Sequence, residues 1–372
     1  MVELSADAAA FLLVTCQVGA ERALKAEVAR KYPDARPSFA RPGFVTFKVP
    51  ASAPLAAPEL LESLPPVSTF SRAQCRSLFK LSGGNLSELA TEFWRKAADQ
   101  TFDRLHVWQR DTLAPGQRGF EPELTALAMQ VGAALRAAHP GPTTLMNAPT
   151  EVGQRVLDCV ILEPDQLWAG LHVARDPAGC WPGGLLDLRL PPHAPSRAWL
   201  KMQQTLEWSR FPLREADACV EIGCSPGGAS QALLDRGLLV LGIDPAEVDE
   251  RVLANPKFAH LRMRGADVRR HQFIGMRLLA CDINLAPTYT LDTVEAIVTH
   301  PSIEIPYLLL TLKLLDWQLA AEIPNYLNRV ISWGYTKARA RQLACHRQEI
   351  CIAASMPAAA RIARGGAAGR RR

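Results

Sequence analysis

Closely spaced cysteine pairs are missing from this sequence of 372 residues, although nine cysteines are scattered along it. Zinc ribbons and fingers need pairs of nearby Cys or His ligands, so we expect no structural metal site. The odd number of cysteines and their apolar surroundings predict reduced, buried thiols instead of a disulfide framework. Such thiols are typical of a cytoplasmic protein.

Long hydrophobic runs are missing as well. No stretch approaches the roughly 18 uninterrupted apolar residues of a membrane-spanning helix. Residues 1–21 carry early acidic residues and only a short apolar run, which is unlike a secretory signal. We therefore expect a soluble, intracellular protein without a membrane partner. Its length suggests two or three domains, and its hydrophobic content of 48% is ample for their cores.

A strong excess of charge is also absent, because the formal net charge is only +5. That balance does not by itself indicate nucleic-acid binding. The last twelve residues are the exception, since they carry five arginines and no acidic residue. We expect residues 357–372 to form a disordered basic tail, which either binds phosphates non-specifically or only aids solubility.

The N-terminal half shows two short α+β patterns. Its strand-like and helical runs succeed one another in the order strand, helix, strand, and then strand, helix, strand, strand. The patterns predict one module at residues 1–80 and another at 81–178, followed by a connection rich in Pro and Gly. The predicted elements are strands at 11–16, 43–49, 104–110, 156–163 and 167–174, and helices at 20–30 and 121–138.

The C-terminal half has a different sequence pattern, in which short apolar runs alternate with helical patterns. The runs are ACVEIG, LLVLGID, LLACDI and LLLTLK. This alternation predicts an α/β domain at residues 190–356, built on a doubly wound, Rossmann-like parallel sheet with crossover helices.

A glycine-rich loop follows the first of these strands, in the segment VEIGCSPGGASQALLDRG. Glycines allow a ligand to approach the backbone, and the helix after them offers unpaired N–H groups. The spacing G-x-x-P-G-G does not fit the dinucleotide fingerprint G-x-G-x-x-G. Asp244 ends the next strand, where a carboxylate can bind ribose hydroxyls of a nicotinamide dinucleotide or of S-adenosylmethionine. Asp267 is either a further adenosine ligand or a loop aspartate.

Polar residues also mark the later strands. Asp282 follows the run LLAC, and Lys313 follows LLLTL, where a lysine is costly unless it is paired or functional. Lys201 lies near the start of the helix that leads into the domain, and Glu349 lies in the strand-like segment QEICIAA. Taken singly, each of the four has an ordinary structural explanation.

Residues 194–354 resemble the FtsJ-like ribose 2′-O-methyltransferases, and more closely those that methylate a cytidine of 23S rRNA. The resemblance rests on the segments APSRAWLK, EIGCSPGG, ACDI, LLLTLK and HRQEICIA. It implies a catalytic Lys–Asp–Lys–Glu tetrad, which falls in the family's order on Lys201, Asp282, Lys313 and Glu349. It also implies S-adenosylmethionine as cofactor, bound by these residues: Ser196, Glu221, Gly223, Ser225, Pro226, Gly227, Gly228, Asp244, Asp267 and Asp282.

The N-terminal half resembles the family in layout, with a ferredoxin-like module followed by a THUMP-like RNA-binding domain. The resemblance further implies a monomer that acts on protein-free 23S rRNA before ribosome assembly. Three positions depart from the family: Glu221 replaces an aspartate, Ser225 replaces a cysteine or alanine, and Ala198 replaces a serine. The family also has Pro and basic residues after the second lysine, where this chain reads LLDWQLAAE.

Lys313 is the predicted general base. The cofactor's methyl group is already activated, so the enzyme mainly has to position the reactants and remove a proton. A lysine with a pKa near 10.4 must be lowered to act near neutrality. Burial and the second cation at Lys201 lower the pKa of Lys313, whereas Asp282 and Glu349 raise it. The sequence does not decide that balance.

Several alternatives remain open from the sequence. A tRNA is an alternative substrate, and a nicotinamide-dependent oxidoreductase or a non-catalytic RNA-binding protein is an alternative function. The 2′-hydroxyl restricts the favoured reaction to RNA. Two tryptophans, Trp94 and Trp108, are either core residues or base-stacking residues. The same question applies to three neighbours with stacking or phosphate-binding side chains: Phe120, Arg104 and Arg110.

Overall fold

The chain divides into two units, Met1–Asp187 and Leu188–Arg372, each with its own sheet. A computed structural model describes residues 9–120, 122–139 and 146–357. The basic tail expected from residue 357 onward therefore lies almost entirely outside the described residues. Within these ranges, no helix is both long and apolar enough to cross a membrane. The same residues contain no cluster of three or more His, Cys, Asp or Glu arranged to hold a metal ion.

One mixed sheet of seven strands organises the first unit, in the order β2-β3-β1-β4-β7-β6-β5. Only β5 and β6 pair in parallel. The strands are β1 (Ala10–Thr15), β2 (Arg36–Arg41), β3 (Phe44–Val49), β4 (Gln74–Ser82), β5 (Arg104–Gln109), β6 (Arg155–Glu163) and β7 (Gln166–Val173). The helices are α1 (Glu21–Lys31), α2 (Pro58–Glu62), α3 (Leu86–Ala97) and α4 (Ala126–Ala138).

The strand β4 joins the two halves of this sheet. It pairs with β1 on one side and with β7 on the other, so backbone hydrogen bonding continues through the whole unit. The boundary predicted between residues 80 and 81 falls inside β4. The division into a ferredoxin-like and a THUMP-like module stays a prediction.

Trp94 and Trp108 belong to the core of the first unit. Trp108 is 1% exposed, and its Nε1 donates a hydrogen bond of 3.0 Å to Oδ1 of Asp158. Trp94 is also buried, and its Nε1 donates to the carbonyl of Leu135. Arg110 is buried too, and it pairs with Glu163 at 2.6 Å. The interpretation of these three side chains as RNA contacts is therefore wrong, because the sheet and its helices cover them.

The second unit has a seven-stranded sheet in the order β10-β9-β8-β11-β12-β14-β13. Its α/β class, predicted from the sequence, is confirmed. The strands are β8 (Ala218–Ile222), β9 (Leu239–Ile243), β10 (Phe258–Leu261), β11 (Leu278–Cys281), β12 (Tyr307–Lys313), β13 (Lys337–Arg341) and β14 (Glu349–Ser355). The helices are α5 (Ala198–Ser209), α6 (Gly228–Asp235), α7 (Glu250–Leu253), α8 (Pro287–Val298) and α9 (Ile323–Ser332).

One strand of this sheet runs against the others. β14 lies between β12 and β13 and is antiparallel to both, whereas the remaining pairs are parallel. Because its direction is reversed, β14 begins at the edge where the parallel strands end. Glu349, its first residue, pairs in register with Lys313, the last residue of β12. The reversal thus brings an acidic residue to the carboxyl edge of the sheet.

Candidate active site

The structure brings together the four residues of the predicted tetrad at this edge. Lys201 lies in the first turn of α5, and Asp282 directly follows β11. Lys313 ends β12, and Glu349 begins β14. Three neighbouring strands and one helix therefore supply one side chain each, in agreement with the prediction that these residues share a site.

The four side chains form a ring of alternating charge. The Nζ atom of Lys313 lies 2.7 Å from Oδ1 of Asp282 and 2.5 Å from Oε2 of Glu349. The Nζ atom of Lys201 lies 2.6 Å from Oε1 of Glu349 and 3.7 Å from Oδ2 of Asp282. Each carboxylate thus bridges both ammonium groups. The side chain of Glu349 is only 4% exposed, so the ring fixes these groups tightly.

The ring sets the protonation of its own members. Burial lowers the pKa of Lys313, but the charges of Asp282 and Glu349 and their hydrogen bonds outweigh it and hold that pKa above its ordinary value. Burial alone would raise the pKa of Glu349, yet the charges of His346, which is protonated only in the acid range where Glu349 titrates, and of the two lysines hold it below its ordinary value. Lys313 is therefore a charged ammonium in this arrangement, and the lowering that a neutral base requires is not achieved by the four residues alone.

A buried histidine beside the ring was not predicted from the sequence. His346 is fully buried three residues before Glu349, and its Nδ1 accepts a hydrogen bond from the backbone N–H of Leu343. Burial lowers the pKa of His346 to about 4, so the imidazole is neutral near pH 7. It adds no charge to the ring. His346 begins the segment HRQEICIA, but no ligand or catalytic spacing in the sequence marks it as a site residue.

The glycine loop lies directly next to the ring. Gly223 follows β8 with a φ of +86°, and a Cβ there would lie 2.7 Å from the carbonyl oxygen of Asp282. Only glycine therefore allows the ends of β8 and β11 to approach so closely. A Cβ on Gly228 would lie 2.2 Å from Oγ of Ser196, which places Ser196 against the start of α6. Gly227 is the N-cap of that helix.

Asp244, which directly follows β9, holds the same loop through hydrogen bonds. Its carboxylate accepts hydrogen bonds from the N–H groups of Ser225, at 3.2 Å, and Ala246, at 2.8 Å. The carbonyl of Pro226 accepts a hydrogen bond from the N–H of Asp249. Asp267, by contrast, is exposed in a short 3-10 turn, Gly265–Asp267, and its carboxylate has no hydrogen-bond partner in the part of the chain that the structure describes.

Glu221 lies beneath the loop in the middle of the sheet. It is 1% exposed, and Oγ of Ser230 donates a hydrogen bond of 2.5 Å to its Oε2. Burial raises the pKa of Glu221 to about 8, with a smaller contribution from Asp282. The side chain is therefore a neutral acid near pH 7, whereas the sequence suggested a carboxylate. Glu221 lines the same pocket as two residues of the ring, Lys201 and Asp282.

The second unit is similar in sequence to a known family. The FtsJ-like methyltransferase family matches residues 194–321. The match includes the glycine loop and three members of the ring, while Glu349 lies beyond it. The family match begins after the end of the first unit and therefore says nothing about that unit.

Curated relatives carry the name "Ribosomal RNA large subunit methyltransferase M". The one from Alkalilimnicola ehrlichii is 30% identical over 256 residues, covering 65% of this chain and 64% of the relative. The one from Thauera aminoaromatica is 28% identical over 205 residues, covering 52% of each chain. The chain thus spans between about half and just under two thirds of their length. TrmN from Thermus thermophilus has a TM-score of 0.35 at 14% identity, covering 93% of this chain and all of TrmN, which is too distant to carry an argument.

Proposed function

We propose that this chain transfers a methyl group from S-adenosylmethionine to a ribose 2′-hydroxyl of RNA. The observation that carries the proposal is the charge ring, in which Asp282 and Glu349 hold Lys313 at the sheet edge beside the glycine loop. The FtsJ-like domain supports the reaction class. The relatives' printed name supports large-subunit ribosomal RNA as the substrate.

The residues around the loop fit the proposed cofactor. Gly223 and Gly227 add no side chain to the loop, and the carboxylate of Asp267, which has no partner among the described residues, is exposed for hydroxyl groups. Asp244 holds the loop and ends the strand where a ribose-binding acid belongs. When bound, S-adenosylmethionine supplies a methyl group already activated on a sulfonium sulfur. The remaining proposed ligands are Ser196, Glu221, Ser225, Pro226, Gly228 and Asp282.

Lys313 removes the proton of the target hydroxyl in this proposal. As the new C–O bond forms, the hydroxyl proton passes to Nζ of Lys313, which must be a neutral amine at that moment. The carboxylates of Asp282 and Glu349 orient the amine and stabilise the ammonium that results. Lys201 neutralises the opposite side of both carboxylates and so limits how far they raise the pKa of Lys313.

The finer parts of the proposal concern the substrate and its context. The favoured target is a cytidine of 23S rRNA, presented from a single-stranded region where its ribose is accessible. The chain acts as a cytoplasmic monomer on protein-free RNA, before the ribosome assembles. Methylation of tRNA instead, or RNA binding without catalysis, is an outcome that the following experiment separates.

Tritiated S-adenosylmethionine tests the proposal directly. The protein is incubated with protein-free 23S rRNA or tRNA, beside Lys313→Ala and the control Lys337→Ala, an exposed lysine on β13. We expect alkali-stable 2′-O-methyl label in 23S rRNA with the wild type and the control, and none with Lys313→Ala. Label in tRNA alone would show that tRNA, and not 23S rRNA, is the substrate. Binding of cofactor and RNA without any label would contradict the catalytic function.

A further inference from the structure

An arginine-rich segment crosses the carboxyl edge of the second unit. This arginine segment, residues 262–271, leads from β10 towards β11. Gly265 fixes its position, because a Cβ there would lie 2.9 Å from Cγ2 of Ile222 and 3.3 Å from Cγ2 of Thr293. Ile222 is the last residue of β8, directly before Gly223. The segment is therefore packed over the strand next to β11, which leads into Asp282.

The charge of the arginine segment is largely uncompensated. It contains four arginines and a single acidic residue, Asp267. Arg264 and Arg269 are exposed, and neither has an ion pair or a side-chain hydrogen bond within the described ranges. Arg270 is partly buried, and its Nη1 atom is itself buried without a partner there. Only Arg262 pairs, with Glu247 at 3.2 Å.

Several other arginines of the same unit are paired. Arg236 pairs with Glu207, Arg251 pairs with Asp249, and Arg329 pairs with Asp292 and Glu295. Their positive charge is thus balanced within the protein. The exposed, unpaired guanidinium groups of Arg264 and Arg269 instead remain available to an external anion at the edge that carries the ring.

The segment that follows Lys313 has no such cations. Residues 314–322 contain no lysine or arginine and include the acidic Asp316 and Glu322. This segment therefore does not attract an anionic strand. The arginine segment provides such attraction on the side of the glycine loop, across the ends of β8 and β10.

We propose that Arg264 and Arg269 bind phosphate groups of the RNA strand that carries the target nucleotide. The inference rests on the proposed function and adds to it the surface along which the substrate lies. Guanidinium groups match phosphate oxygens in a bidentate geometry, and such contacts position a strand without reading its sequence. The arginine segment thus orients the RNA backbone, while the ring acts on one ribose.

A pair of double variants tests this surface. Arg264→Ala with Arg269→Ala removes two charges from the arginine segment. The matched control is Arg210→Ala with Arg214→Ala, which removes two exposed arginines between α5 and β8, before the start of β8. Neither control arginine has a side-chain ion pair or hydrogen bond among the described residues. Binding of a single-stranded 23S rRNA fragment is measured by fluorescence anisotropy over a range of salt concentrations.

We expect the slope of log affinity against log salt to be less steep by about 1.4 in the test variant than in the wild type, since each single-strand phosphate contact contributes about 0.7. The control keeps the wild-type slope. In turnover, the test variant raises the KM for RNA and leaves kcat unchanged. Its affinity for S-adenosylhomocysteine also stays unchanged, although Asp267 lies in the same segment.

Two results would overturn the inference. Equal salt slopes for the test variant, the control and the wild type would show that these arginines do not contact phosphates. A loss of S-adenosylhomocysteine affinity with unchanged RNA binding would assign them to the cofactor. Failure of the proposed function is recognised separately, as absence of methyl transfer by the wild type, because the salt slope is measured without turnover.

Discussion

The pH dependence of methyl transfer tests whether Lys313 acts as the base. With a pKa at or above the ordinary lysine value near 10.4, its neutral fraction at pH 7 is about one in 2,500 or less. If the rate follows that fraction, log kcat rises with a slope of about one between pH 7 and 9.5. Glu349 raises the pKa of Lys313, because its Oε2 atom lies 2.5 Å from Nζ of Lys313. The substitution Glu349→Gln therefore tests this interaction directly.

Removing an opposite charge at such a distance lowers a lysine pKa by about 1–3 units. We therefore expect the inflection of the Glu349→Gln profile to move about 1–3 pH units lower, with the amide oxygen still able to accept one hydrogen bond. The assay is single-turnover methyl transfer at saturating cofactor and RNA from pH 6.5 to 9.5. Glu322→Gln, an exposed glutamate before α9, is the control. A flat wild-type profile, or a Glu349→Gln profile that does not differ from that of the wild type, would refute the assignment.

Three further variants probe the loop and the cores. Because the pKa of Glu221 rises from about 4.5 unfolded to about 8 folded, the fold loses about 1.4 kcal/mol per pH unit between those values. Glu221→Gln should therefore flatten the pH dependence and be more stable in urea at pH 7.5 than the wild type, but not at pH 4. Gly228→Ala, whose Cβ clashes with Ser196, should weaken S-adenosylhomocysteine binding by about tenfold or more in calorimetry; unchanged affinity would contradict the packing described. Trp108→Ala should destabilise the first unit by about 3–5 kcal/mol with cofactor affinity unchanged, and a small loss would show that the indole is not a core residue.

Strand ends made much of the candidate site predictable. Asp244, Asp282 and Lys313 each follow an apolar run, and parallel strands place such residues at one edge of a sheet. Their proximity could therefore be expected before any contact was known. The glycine loop was recognisable for a similar reason, since glycine is required where β8 and β11 approach each other at Gly223.

Strand direction and protonation could not be predicted in the same way. An apolar run such as β14 has no direction of its own, because direction depends on which distant strand it pairs with. The pKa of Lys313 likewise depends on how closely two carboxylates from other strands approach its Nζ atom. In the first unit, β2 has mostly exposed residues and no apolar alternation, so nothing in its sequence marked it as a strand.

The site contains all four ring residues only after β14, the last strand of the second sheet, has been synthesised. β13 is made before β14 but pairs only with β14, and β14 also fills the open side of β12. A polypeptide that stops before residue 349 has two unsatisfied strand edges and a Lys313 with Asp282 as its remaining acidic ring partner. Partly synthesised molecules therefore lack both a closed sheet and the fourth side chain. Under the proposed function, we expect such intermediates to be inactive until translation of this unit is finished.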